Sequence, residues 1–210
     1  MFLLKWTVPI ALGLFALSLW LVDEQDSSLR LERAVPPAHP VNTVTSGVAV
    51  VEIELERATD LLKTRMLYGE SPFMPRALNA LKQWRFKVPD ELPIARTSVT
   101  FLFRPPAFYL LEPLTTPVSP WTPGKDAPAL PQQVVDPGYP AATVVSGSVI
   151  LEVQVDSVGA VTGVQTILGI EPLTEAAHKA VKNWKFSPAT VGGRPVASTA
   201  YVVVSFVLPT

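Results

Sequence analysis

Apolar and polar residues alternate most regularly in the second half of the chain, where Val149, Leu151, Val153 and Val155 are interleaved with Ser148, Ile150, Glu152, Gln154 and Asp156. A period of two predicts a half-buried strand. Asp156-Ser157-Val158-Gly159 then supplies turn chemistry, with Gly159 free to take positive φ, and Val161 to Leu168 reads as the returning strand of a hairpin. The period changes next. Ala177, Ala180, Val181 and Trp184 fall at i, i+3, i+4 and i+7, which predicts a helix with one apolar face, Thr174 as its N-cap and Glu175 against the positive end of its dipole. Ser187-Pro188 ends that helix, Gly192-Gly193-Arg194-Pro195 makes a loop, and Ser198 to Leu208 is a long final strand. The apolar helix face must lie on the sheet, so the expected unit is a two-layer β-β-α-β domain of about 75 residues with a lead-in turn at Tyr139-Pro140.

The same pattern occurs one hundred residues earlier. Trp84-Arg85-Phe86 recurs as Trp184-Lys185-Phe186, and the register pairs Ala80 with Ala180, Ala77 with Ala177, Pro72 with Pro172, Gly69 with Gly169, and Thr43 to Gly47 with Thr143 to Gly147. A repeat at a fixed period marks duplicated structural units. The first copy is expected as strands over Ala49–Leu55 and Leu61–Leu67, a helix from Pro75 to Trp84 and a strand over Thr97–Phe103; its hairpin turn, Glu56 to Asp60, lacks glycine. Between the copies, Pro105 to Pro140 holds ten prolines, a density that favours a stiff polyproline spacer. The resulting layout is a membrane segment over 1–22, a spacer over 23–38, a diverged unit over 39–105, a Pro-rich linker over 106–130 and a second unit over 131–210. The fold class is α+β: an N-terminal membrane helix followed by two small two-layer β-β-α-β domains.

Trp6 to Val22 is an uncharged apolar run of about seventeen residues, at the short end of what spans a hydrocarbon core. Lys5 precedes it and Asp23, Glu24 and Asp26 follow, so the positive-inside bias places the start in the cytoplasm and the remainder outside. Ala16-Leu17-Ser18 would also serve as a signal-peptide cleavage site, but the apolar run continues past it through Val22, which favours a retained single-pass anchor.

Charge and chemistry narrow the function. Seventeen Lys+Arg against eighteen Asp+Glu give a net charge of -1, which supplies no basic field for nucleic acid. With no cysteine and only His39 and His178, the chain lacks thiolate metal sites, disulfides and a multi-histidine centre. Ser46 and Ser146 precede glycine without forming a nucleophile elbow, and Trp84, Phe86, Trp184 and Phe186 read as core. His178 shares the polar side of its helix with Lys179 and Lys182, and Arg194 is a loop charge. These readings point to a non-catalytic protein without cofactor or metal.

Tyr139-Pro140, Gly147-Ser148-Val149, Val155-Asp156 with Gly159 and Val161, the helix ending Ala180-Val181-x-x-Trp184-Lys185-Phe186, Pro188-Ala189, Gly193-x-Pro195 and the closing strand occur in the order found in one family. The second unit resembles the carboxy-terminal domain of TonB-family periplasmic proteins, and His39 to Pro105 resembles it more weakly. The resemblance implies an inner-membrane, single-pass protein whose C-terminal part is periplasmic. It also implies a protein that passes force from an ExbB/ExbD-type motor, driven by the proton gradient, to outer-membrane transporters. Recognition in that family is by a receptor peptide adding to the last strand, which here comprises Thr199, Ala200, Tyr201, Val202, Val203, Val204, Ser205 and Phe206. This strand is long, β-branched and uncharged, and at a sheet edge it would invite a guest strand; the other placements are the sheet interior or pairing with its own copy in a homodimer. Members that couple to the motor typically carry a histidine in the membrane segment, whereas Trp6–Val22 has Ser18 and no histidine. A non-energised scaffold bridging envelope proteins is the alternative function, and an exported enzyme a more remote one.

Overall fold

The computed structural model describes residues 29–40, 43, 45–59, 61–90, 92–104, 115–118, 124–140 and 143–207. The expected membrane segment over 1–22 lies outside these residues; among the described residues no helix is long and apolar enough to cross a membrane. The first unit contains β1 (Arg30–Arg33), β2 (Gly47–Glu56), β3 (Leu61–Tyr68), α1 (Phe73–Leu81), β4 (Arg85–Lys87) and β5 (Ile94–Phe103). β6 (Thr115–Pro117) and β7 (Leu130–Val135) follow. The second unit continues with β8 (Gly147–Val155), β9 (Val161–Leu168), α2 (Leu173–Val181), β10 (Lys185–Ser187), β11 (Ala189–Val191), β12 (Arg194–Val196) and β13 (Ser198–Phe206).

Local chemistry accounts for the hairpin of the second unit. The Asp156 carboxylate accepts from the N–H groups of Val158 (3.0 Å) and Ala160 (2.8 Å), while Gly159 takes φ 86°. That turn sets β8 and β9 antiparallel. The helices begin earlier than their sequence signals. α1 starts at Phe73 instead of Pro75, and α2 starts at Leu173, so Thr174 is a buried first-turn residue and not the N-cap; Pro172 holds that position and no side chain caps the helix.

The two units are not separate two-layer domains. They share one six-stranded sheet in the order β3-β2-β5-β13-β8-β9, joined at its centre by parallel pairing of β5 with β13, in which Tyr201 lies opposite Val99 and Ser205 opposite Phe103. Parallel pairing of the two equivalent closing strands turns the second unit over relative to the first. α1 therefore packs with Tyr201 and Val203 on one face, and α2 packs with Ala200, Val202 and Val204 on the other. Three layers result, and the central strands are buried on both faces, as continuous apolar runs require.

The expected spacers also contribute to the fold. β1 pairs with β4 as β7 pairs with β10, at the same spacing of one hundred, so the repeat begins ahead of residues 39 and 131. The Trp84 indole N–H donates to the Val35 carbonyl (2.7 Å) and that of Trp184 to the Val135 carbonyl (2.9 Å). Val118, Ala127, Ala129 and Leu130, expected in an extended linker or at its end, are buried. Each lead-in reaches across to the other unit: Tyr201 Oη donates to the Leu29 carbonyl (2.9 Å) and accepts from the Leu31 N–H (3.0 Å), while Ser98 Oγ donates to the Ala129 carbonyl.

Candidate peptide-binding edges of the shared sheet

The strand expected to receive a guest peptide is β13, and the structure places it where a guest has no margin to use. β8 takes one side in an antiparallel register from Ser198–Val155 to Phe206–Gly147, and β5 takes the other. Thr199 to Phe206 are all buried. Phe206 is packed by the Tyr139 ring at 6.2 Å between centroids and by the Arg104 guanidinium at 5.5 Å from its centroid. Thr199 and Ser205 accept through their carbonyls from Thr97 Oγ1 (2.9 Å) and the Arg104 N–H (3.0 Å). The edge expectation is corrected, and the physical reason lies in the side chains. β13 is apolar at both parities, and an edge strand with one wet face has no use for both sets.

Magnitudes decide whether β5 could yield its place to a peptide. Val48, Val50 and Leu102 of the first unit belong to the core beneath α2, and Ile150, Tyr201 and Val203 of the second belong to the core beneath α1. At about 1.5–3 kcal/mol for each large side chain, exposing these six costs roughly 9–18 kcal/mol as an upper bound. Each backbone hydrogen bond gained from a peptide returns only about 0.5–1.5 kcal/mol net. Displacement of the first unit by a short peptide is therefore unfavourable.

The ends of the shared sheet offer the alternative. β3 and β9 each pair with a single neighbour, β2 and β8, among the described residues. β9 carries no charged residue and exposes Ile167 and Leu168, while β3 carries Lys63 and Arg65 and exposes Met66. Nothing in the sequence marks these two strands as outermost, because their alternation resembles any half-buried strand and the outermost position is set by the other unit.

Several polar side chains of the sheet are tied to one another by ion pairs and hydrogen bonds. The Glu54 carboxylate accepts from Lys63 Nζ (3.1 Å) and Arg96 Nε (2.9 Å), and the Lys63 hydrogen bond, foremost, holds its pKa below the ordinary value of 4.5 despite partial burial. Arg65 pairs with Glu52. His178, on the exposed side of α2, has Nε2 at 2.7 Å from Thr166 Oγ1, and His39 Nε2 lies 3.1 Å from the Arg104 carbonyl. The buried Arg104 guanidinium pairs with Asp136 and ties the end of β5 to the chain after β7. Among the described residues no group of three or more His, Cys, Asp or Glu side chains could hold a metal.

Comparison with known proteins gives the second unit a family. Residues 137–208 match the family described as Gram-negative bacterial TonB protein C-terminal. Protein TonB of Vibrio cholerae serotype O1 (strain ATCC 39315 / El Tor Inaba N16961) is 35% identical over 88 residues, which cover 40% of this chain and 36% of that protein. The match thus spans little more than a third of the relative's length. No solved structure matches the chain. The second unit, with its β-β-α-β order, its Trp184 anchor and its closing strand β13, belongs to the TonB C-terminal domain family.

Proposed function

We propose that this protein is a TonB-type coupling protein of the bacterial envelope, anchored in the inner membrane by Trp6–Val22 with its sheet in the periplasm. It takes an extended segment of an outer-membrane transporter by strand addition and is linked to the proton gradient through an ExbB/ExbD-like motor. The family of residues 137–208 supports the coupling role. The observation that carries the binding mode is that, among the described residues, β3 and β9 each have one neighbour in the sheet while β13 has two, which moves the guest strand from Thr199–Phe206 to an outer edge. Exposed backbone on an edge strand is what strand addition uses.

The non-energised scaffold is the second reading, and the membrane run favours it by lacking the histidine of motor-coupled members. Photo-crosslinking in intact cells tests both, from Met66 and Ile167 on the outer strands and from Val203 on β13, with and without a protonophore. The coupling reading expects a transporter captured from an outer strand, nothing from Val203, and transport lost with the gradient. Capture of other envelope proteins only, with transport unaffected by the protonophore, would establish the scaffold instead.

A further inference from the structure

The two copies differ at one pair of equivalent positions that governs the cleft between helix and outer strand. In the second unit Thr166 of β9 and His178 of α2 are joined by a hydrogen bond of 2.7 Å across that cleft. One hundred residues earlier the same places hold Met66 and Leu78, which have no polar group to bridge them. A groove of about 1260 Å³ lies there, lined by Leu62, Thr64 and Met66 from β3 and by Leu78 and Lys82 from α1 and the residue after it. Met66 is 59% exposed and Leu62 36%, so apolar side chains stand open to solvent on the β3 wall of the groove, while Glu70, Ser71 and Asn79 make other parts of its lining polar.

The pairing register sorts the side chains of β3. Leu62, Thr64 and Met66 lie opposite Leu55, Ile53 and Val51, which belong to the core beneath α1, so these three face the groove. Lys63 and Arg65 point to the opposite face, with Glu54 and Glu52 one strand further in. Their side chains remain 57% and 69% exposed. Asp126, on the inner side of the same face, already accepts from the Gly192 N–H (2.7 Å). β3 has no carboxylate of its own.

We propose that the outer margin of β3 together with the β3–α1 groove is a binding site for an extended peptide segment in which apolar and acidic residues alternate. Strand addition would set the apolar residues over Leu62, Met66 and Leu78 and the acidic ones beside Lys63 and Arg65, where opposite charges on adjacent strands attract. A second copy of the chain is a poor occupant, since two β3 strands side by side would bring lysine and arginine against like charges. This inference rests on the strand-addition reading and names the edge and the chemistry of the guest.

The test uses the full chain in mild detergent and two fluorescent seven-residue peptides, one alternating valine with glutamate and one alternating valine with lysine. Anisotropy should give saturable binding of the acidic peptide, weaker by about tenfold or more for the basic peptide and for the acidic peptide on Met66→Glu. A benzophenone amino acid at position 66 should crosslink the acidic peptide, and one at position 167 should not. Met66 is largely exposed, so both substitutions leave the core in place. Equal affinity for the two peptides, crosslinking from 167 instead of 66, or absence of saturable binding would overturn the site. Transporter capture from Ile167 in cells would then leave the TonB-type reading standing, whereas peptide binding on β3 with no transporter captured would overturn that reading alone.

Discussion

Replacing Val203 by proline separates an edge strand from an interior one. At an edge, proline would cost one outward donor, abolish partner capture and leave the fold intact. In the structure Val203 is fully buried between Ile150 of β8 and Phe101 of β5, with its side chain in the core beneath α1. The ring removes a ladder donor and leaves a buried carbonyl unpaired, at about 1–3 kcal/mol, and misfits a packed core at about another 1–3 kcal/mol. Against a total stability of about 5–15 kcal/mol, Val203→Pro should abolish cooperative folding or lower the melting temperature sharply. Because β13 supplies side chains to both cores, the loss should extend to both units. The assay is thermal unfolding of the full chain followed by far-UV circular dichroism and tryptophan fluorescence, with Val203→Ala as the milder control. A Val203→Pro variant that melts with the parent and loses only partner capture would refute the placement of β13.

Three further outcomes follow from particular contacts. Trp184→Ala should cost about 3–5 kcal/mol by urea unfolding, since it empties a core site and leaves the Val135 carbonyl without its indole donor. Gly159→Ala should destabilise far more than Gly192→Ala in parallel thermal melts: both glycines have positive φ (86° and 60°), but a methyl group at 159 meets the Phe186 carbonyl whereas at 192 it meets open space. Glu54 has its pKa lowered in the folded state, so its contribution is present above pH 4.5 and is lost as pH falls through the folded value. Glu54→Gln should therefore lower stability slightly at neutral pH and flatten the acid limb of the stability profile, measured by denaturant titrations across that range.

The hairpin at Asp156–Gly159, the helix ahead of Trp184, the spacing of one hundred and the family likeness were legible, because each depends on residues close in sequence or on a fixed spacing; the helix itself ends at Val181, short of the expected Trp184. The lead-in strands were not. Arg30–Arg33 is four largely polar residues whose strand partner, Arg85–Lys87, lies more than fifty positions away, and no local period marks such a pairing. β13 was misplaced for a related reason. Its own residues favour a strand wherever it sits, and the apolar side chains at both parities were the one available sign that it is covered on both faces.

Taken alone, then, the chain's pattern determined two β-β-α-β units, their cores around Trp84 and Trp184, and the absence of local catalytic motifs, since these follow from periodicity and side-chain chemistry. Only the tertiary structure decided that β5 and β13 pair in parallel, that α1 and α2 take opposite faces, and that β3 and β9 are the outer strands among the described residues. The physical reason is that a strand's hydrogen bonds point sideways in its sheet and carry no side-chain code. Which margin is filled depends on the burial gained when distant elements meet.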